Sequence, residues 1–251
     1  MQIDEKELTE IAIKAAKAAG SAILTIYNST NLGVEYKKDD SPLTIADKEA
    51  HQVIMGFLTQ TSYPILSEEG KDIPYSERKN WDYFWMVDPL DGTKEFIKKN
   101  GEFTVNIALI HNGEPVMGVV YAPVLDWMFW GNSEGGWKAS GDELPVKLAN
   151  KQSTKVKTIV ASRSHLSAET QEIIDKYPGA EVISMGSSLK FLLLAENKAQ
   201  LYPRFAPTME WDTAAAHGVL RALGYVINKT DKPEPLTYYK ENLLKPWFIA
   251  S

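Results

Sequence analysis

The 251-residue chain contains no cysteine. That rules out disulfides and thiolate-held zinc, and it fits a reducing compartment. No stretch reaches the roughly 20 apolar residues that a membrane-spanning helix requires. Near Met1 there is no basic start followed by an apolar run and a small-residue cleavage site, so no signal peptide is expected. Positive charge is not in excess: 27 Lys and Arg stand against 33 Asp and Glu, a formal charge of -6. Nucleic-acid binders usually carry a basic face, so a nucleic-acid polymer is not an expected partner. Repeats and low-complexity segments are also lacking. The expected location is the cytoplasm. Peripheral association with the inner face of the membrane stays open, as does oligomeric state.

What is present is ordinary globular material, 44% apolar and 24% charged. The length suits one large domain or two medium ones, with ample core. Leu8, Ile11, Ala12, Ala15, Ala19, Ala22, Ile23 and Ile26 recur at helical spacing, with Asp4 and Glu7 as a start signal. A polar loop with Lys37, Lys38, Asp39 and Asp40 follows. A second helix is expected from Thr44, burying Ala46, Ala50, Val53, Ile54 and Phe57. Strands are then expected at 63–67, 84–88, 103–111, 116–124, 127–131 and 136–139, with a hairpin at Asn112-Gly113-Glu114-Pro115. Helices followed by runs of adjacent strands predict an α+β layer with an antiparallel sheet. Beyond about residue 155 the pattern becomes α/β: strands at 158–162, 182–185, 200–203 and 225–228, helices at 168–176, 188–196 and 211–223. The expected division is an N-terminal part, 1–155, and a C-terminal part, 156–251, with a soft boundary in the polar stretch 148–157.

The chemistry concentrates in acidic residues at element ends. An apolar strand delivers Asp88, Pro89 interrupts its ladder, and Asp91 follows before Gly92-Thr93 at a helix start. Two convergent carboxylates repel, so such a site wants cations. Oxygen ligands select hard ions, commonly Mg²⁺. Amides at Gly92 and Thr93 can face an anion. Asp-Pro and Asp-Gly are equally good turn formers, so the segment alone leaves both readings open. Glu68 and Glu69 end another strand before Gly70. Asp212 opens a helix, where a capping role is also natural. Asp47 sits three residues after Thr44 and reads either as a cap or as half of a water-activating pair with Thr93.

Together, Asp88-Pro-Leu-Asp-Gly-Thr-Lys-Glu-Phe96, Trp211-Asp-Thr-Ala-Ala215 and Ser67-Glu-Glu69 resemble the inositol-monophosphatase superfamily of lithium-sensitive phosphatases, over nearly the whole chain. Ser41-Pro-Leu-Thr-Ile-Ala-Asp47, Gly186-Ser-Ser-Leu-Lys-Phe191 and Leu201-Tyr-Pro-Arg-Phe205 look most like its CysQ-type 3'(2'),5'-bisphosphate nucleotidase branch. The resemblance implies a layered α-β-α-β-α sandwich, the sugar phosphatase fold. It implies two or three Mg²⁺ ions: one held by Glu68, Asp88 and the Leu90 carbonyl, a second by Asp88, Asp91 and Asp212, and a weaker third near Glu68. Thr93 and Asp47 would activate water. Gly92, Thr93, His165, Ser187, Lys190 and Asp212 would bind a small phosphorylated nucleotide, with removal of the 3'-phosphate of adenosine 3',5'-bisphosphate and a place in sulfur metabolism. The sulfated analogue of that substrate stays open. Arg163 and Arg204 are further cations at strand ends. Rival activities are inositol monophosphatase and fructose-1,6-bisphosphatase, and a rival class is phosphate or metal binding without turnover. His51, His111 and His217 read as structural, and Glu210 has no assigned role.

Overall fold

The computed structural model describes residues 4–37, 42–152, 155–162 and 167–251. Helix α1 (Glu5–Tyr27) starts where Asp4 Oδ1 accepts from the Glu7 amide at 3.0 Å. It buries Leu8, Ala12, Ala15, Ala19 and Ile23 of the predicted apolar stripe, and Ala16 besides, while Ile11, Ala22 and Ile26 are half-buried. A small hairpin of β1 (Glu35–Tyr36) and β2 (Pro42–Leu43) leads into α2 (Ile45–Leu58), capped by Thr44. Helix α2 buries Ala46, Asp47, Ala50, Ile54 and Leu58, while Val53 and Phe57 are only half-buried.

Strands β3 (Ile65–Ser67), β4 (Tyr83–Asp91), β5 (Thr104–His111), β6 (Glu114–Ala122), β7 (Trp127–Asn132), β8 (Gly135–Ser140) and β9 (Val146–Lys147) form one sheet in that order. Short helices α3 (Tyr75–Arg78) and α4 (Thr93–Ile97) flank β4. Only β3 and β4 pair in parallel; the other pairs are antiparallel. The expected hairpin turns at Asn112-Gly113, both at positive φ, and Glu114 and Pro115 already belong to β6. Pro115 is tolerated because the register shifts beside it.

Both sheet faces are buried. On β4, Phe84 and Met86 face one core, while Trp85 and Val87 face the other. Helices α1 and α2 cover the second face. The first is covered by a helix from the far end of the chain, after β10 (Thr158–Ser162), α5 (Ala168–Asp175), β11 (Glu181–Met185), α6 (Leu189–Ala195) and β12 (Tyr202–Arg204). This helix, α7 (Glu210–Ala222), packs on β5, β6 and β7. Beyond it lie the parallel pair β10–β11 and a sheet in which β14 (Phe248–Ala250) sits between β12 and β13 (Ile227–Lys229). The outcome is the layered α-β-α-β-α sandwich. Strand β14 was not foreseen: three residues carry too little periodicity to register. Among the described residues no helix is long and apolar enough to cross a membrane, and the fold lends no support to a peripheral membrane contact.

The seating of α7 is dictated by glycine. Gly118, Gly131 and Gly136 stand side by side on β6, β7 and β8. A Cβ on Gly118 would lie 1.9 Å from the Ala215 carbonyl oxygen, and one on Gly131 would lie 2.8 Å from Val219 Cα. Helix backbone therefore rests on sheet backbone. That contact sets how far the first turn of α7, with Asp212, reaches along the sheet.

Candidate active site

Strand β4 does not stop at Asp88 as expected; it runs through Pro89 and Leu90 to Asp91. The ladder to β5 pairs Asp88 with Asn106 and Asp91 with Thr104, with a register shift between. Pro89 has no amide proton to donate, so a bulge is where a strand can hold it. The bulge turns the chain enough for Asp88 Oδ1 to accept from the Leu90 amide at 3.0 Å. Gly92 follows at φ +96, where a side chain would be strained and its Cβ would meet the Glu102 carbonyl oxygen at 3.0 Å.

Glu68, just beyond β3, and Asp212, in the first turn of α7, meet Asp88 at this bulge. One ligand oxygen from each lies within 4.8 Å of the others. Asp88 is pushed well above the usual carboxylate range by burial and then by Glu68, Asp91 and Asp212. Asp212 is raised in the same way, by burial and by Asp91 and Glu68. Glu68 is raised by burial, against the opposing pull of Lys37. Crowded, buried, oxygen-only donors of this kind are stabilised by a hard cation. The site therefore fits the metal expected there. Asp91 stands beside the three, its Oδ2 accepting from Ser187 Oγ at 2.6 Å.

Asp47 serves as a cap and faces the site at once. Its Oδ2 accepts from the Thr44 amide at 2.7 Å and the Thr44 hydroxyl at 2.6 Å, and its Oδ1 accepts from Thr93 Oγ1 at 3.1 Å. Burial raises its pKa against these hydrogen bonds. Asp212 also combines both readings: Oδ2 accepts from the Met209 amide at 2.9 Å.

The opposite wall comes from the turn before α6. Ser187 has φ +49, and buried Lys190 steadies it by donating to the Ser187 carbonyl at 2.6 Å and the Met185 carbonyl at 3.3 Å. Burial brings Lys190 down to about 8, against the pull of Asp91. Ser187, Lys190, Tyr202, Arg204 and Thr208 line a cleft that opens beside Asp91 and Asp212. Arg204 bonds Thr208 Oγ1 through Nε at 2.9 Å. The remaining expected contacts, His165 and Arg163, lie outside the described residues.

The model of the "Inositol monophosphatase family" matches residues 4–246. The chain belongs to the inositol monophosphatase family. It is 48% identical over 242 residues to the 3'(2'),5'-bisphosphate nucleotidase CysQ of Escherichia coli strain K12, covering 94% of this chain and 96% of that one. To the same-named protein of Shigella flexneri it is 47% identical at equal coverage. Among solved structures, CysQ from Bacteroides thetaiotaomicron, described as a bacterial member of the inositol monophosphatase family, superposes with a TM-score of 0.87 at 48% identity, covering 97% of this chain and 96% of that one. The suhB protein of Bartonella henselae, 22% identical with a TM-score of 0.77 and coverage of 97% and 93%, shares the fold.

Several residues at this family member's site escape sequence reasoning. Lys37 Nζ lies 2.8 Å from Glu68 Oε1 and 2.5 Å from Glu69 Oε1. Asn106 Nδ2 donates to Ser188 Oγ at 3.1 Å, and Ser188 Oγ donates to the Asp212 carbonyl at 2.8 Å, tying β5, α6 and α7 together. Glu210, fully buried, accepts from the Tyr239 amide at 2.5 Å and from Lys240 Nζ at 2.6 Å. It pins the C-terminal segment to the start of α7. Glu210's place just before the tryptophan was the sole hint; the other contacts carry no local signal.

Proposed function

We propose that this chain is a magnesium-dependent phosphatase that removes the 3'-phosphate of adenosine 3',5'-bisphosphate, giving AMP and phosphate. The observation that carries the chemistry is the meeting of Glu68, Asp88 and Asp212 within 4.8 Å beside the Thr93–Asp47 pair. The substrate rests on 46–48% identity, over nearly the whole chain, to proteins named 3'(2'),5'-bisphosphate nucleotidase. Solved inositol monophosphatases at 20–23% identity share the fold alone, so that rival activity is not favoured.

In this reading Glu68, Asp88 and the Leu90 carbonyl hold one Mg²⁺. Asp88, Asp91 and Asp212 hold a second, and a weaker third sits near Glu68. Bound ions of this kind neutralise phosphate charge, acidify a water molecule and stabilise the leaving oxygen. The protein's own groups do the positioning. Thr93 gives its hydroxyl proton to Asp47 in a hydrogen bond, which leaves its lone pairs to accept from an attacking water. Asp47, made more basic by burial, is the proton's destination. Gly92 and Thr93 present backbone amides to the phosphate. Ser187, Lys190, Asp212 and His165 contact the nucleotide, and Lys190 and Arg204 place positive charge in the cleft for its second phosphate. A cytoplasmic setting suits such a small soluble substrate.

A phosphate-release panel with and without Mg²⁺ tests this. Faster release from adenosine 3',5'-bisphosphate than from inositol 1-phosphate or fructose 1,6-bisphosphate is expected. The opposite ranking overturns the substrate, and release indifferent to metal overturns the mechanism. Inhibition by millimolar lithium is also expected.

A further inference from the structure

Lys37 stands where the proposed mechanism gives it no part. It follows β1, and its ammonium lies between Glu68 Oε1, at 2.8 Å, and Glu69 Oε1, at 2.5 Å. Glu68 belongs to the carboxylate group that fits a divalent ion. A lysine ammonium bonded to this carboxylate and a cation coordinated by it compete for the same negative charge. The two positive charges also repel at close range.

The anchoring of Lys37 permits exchange. Among the described residues, strands β1 and β2 pair over two residues each. Among the described residues a second side-chain tie of the hairpin, Glu35 to Lys48 at 2.7 Å, has partners 62% and 50% exposed, and pairs so exposed hold weakly. The lysine stem is four flexible carbons, so the ammonium can withdraw by rotation without moving the strand. Glu69 stays as a partner outside the three-carboxylate group, so a withdrawn ammonium still has a carboxylate to pair with.

We propose that Lys37 is a built-in counter-cation of the acidic site, which shields Glu68 and Glu69 until a divalent ion displaces it from Glu68. This rests on the metal reading above. Lys37 then sets the metal concentration at which the site fills. It also protects the fold against carboxylate repulsion while metal is scarce.

The test is Mg²⁺ titration of the full chain without substrate, by calorimetry and by the Mg²⁺ dependence of Tm, for the wild type, Lys37→Met and Lys37→Arg. Removing one positive charge at this range is expected to tighten Mg²⁺ binding by about fivefold or more. Lys37→Arg, which keeps the charge, stays within about twofold of the wild type by the same reasoning. In EDTA, Lys37→Met melts below the wild type, and saturating Mg²⁺ closes the gap. Unchanged or weaker Mg²⁺ binding by Lys37→Met overturns the proposal, as does a Tm gap that persists in saturating Mg²⁺. Failure of all three proteins to bind Mg²⁺ overturns the metal reading itself, and the proposal with it.

Discussion

Ser187 Oγ donates to Asp91 Oδ2 at 2.6 Å across 96 residues of chain. This one bond joins the bulged strand to the turn before α6. It fixes one carboxylate oxygen of Asp91, which in the proposed mechanism would leave the other for an ion. It also explains why Ser187 is held at φ +49 with Lys190 locked onto its carbonyl. A hydrogen bond to a charged group contributes about 1.5–3 kcal/mol. Ser187→Ala is expected to lower kcat/KM by about tenfold or more on that scale. The required Mg²⁺ concentration should rise, and Tm should fall as well. Steady-state kinetics across a magnesium series checks it; an unchanged magnesium requirement contradicts the positioning of Asp91.

The Thr93–Asp47 bond separates catalysis from capping. Thr93→Ala removes the hydroxyl that would accept from water but leaves the Thr44 cap on Asp47 Oδ2 intact. Its kcat should fall by about 10²–10⁴-fold, the usual worth of general base catalysis, with Mg²⁺ binding and Tm near wild type. Asp47→Asn should lose as much activity and also some stability, because its amide cannot accept at every position the carboxylate does. Binding by calorimetry, beside kcat, distinguishes the two. Retained activity in Thr93→Ala would mean that water is activated elsewhere.

The fold was legible where periodicity is long or a signature is local. The stripe from Leu8 to Ile26 is a helix because five of its positions must be dry. Asp88 and Asp212 were recognisable as acids at a strand end and a helix start. What could not be read is set by distance. Nothing near Lys37 says that its ammonium will rest on Glu68, 31 residues away, and nothing near Asn106 points to Ser188. Pro89 argued for a strand end, yet the strand absorbed it as a bulge, since backbone pairing on either side outweighed one missing donor. Asp47 and Asp212 each invited a choice between cap and functional carboxylate. A carboxylate has two oxygens, and here each residue's cap leaves one of them for the site.

His217 gives a pH dependence of stability. It is buried in α7, with Nδ1 3.0 Å from the Tyr238 hydroxyl. Burial, reinforced by Lys245 and Arg221, depresses its pKa to about 3. In the unfolded chain it titrates near 6.5. Between those values the unfolded state takes a proton that the folded state refuses, so stability present above about pH 6.5 is lost as pH falls toward about 3. The raised carboxylates Asp88 and Asp212 act in the opposite direction, so the comparison must be made against a variant. His217→Gln should lose less Tm than the wild type between pH 7 and about 5. Parallel curves would mean that His217 takes up its proton as readily folded as unfolded.

The glycine track under α7 makes the sharpest structural prediction, because two Gly→Ala changes should have opposite signs. At Gly118 the new methyl would fall 1.9 Å from the Ala215 carbonyl oxygen. That atom is helix backbone and cannot rotate away. Either α7 lifts from β6 or the sheet bends, at a cost expected to exceed about 3 kcal/mol. Asp212 moves with the helix, so activity should fall further than the loss of folded protein accounts for. At Gly56, inside α2, a Cβ meets nothing within 4 Å. There alanine only removes conformational freedom from the unfolded chain, and stability should rise by about 0.5–1 kcal/mol. Denaturant melts of both variants, with activity normalised to folded protein, check the pair. If Gly118→Ala is as harmless as Gly56→Ala, then helix and sheet are not in backbone contact, and the glycines do not explain how Asp212 reaches Asp88.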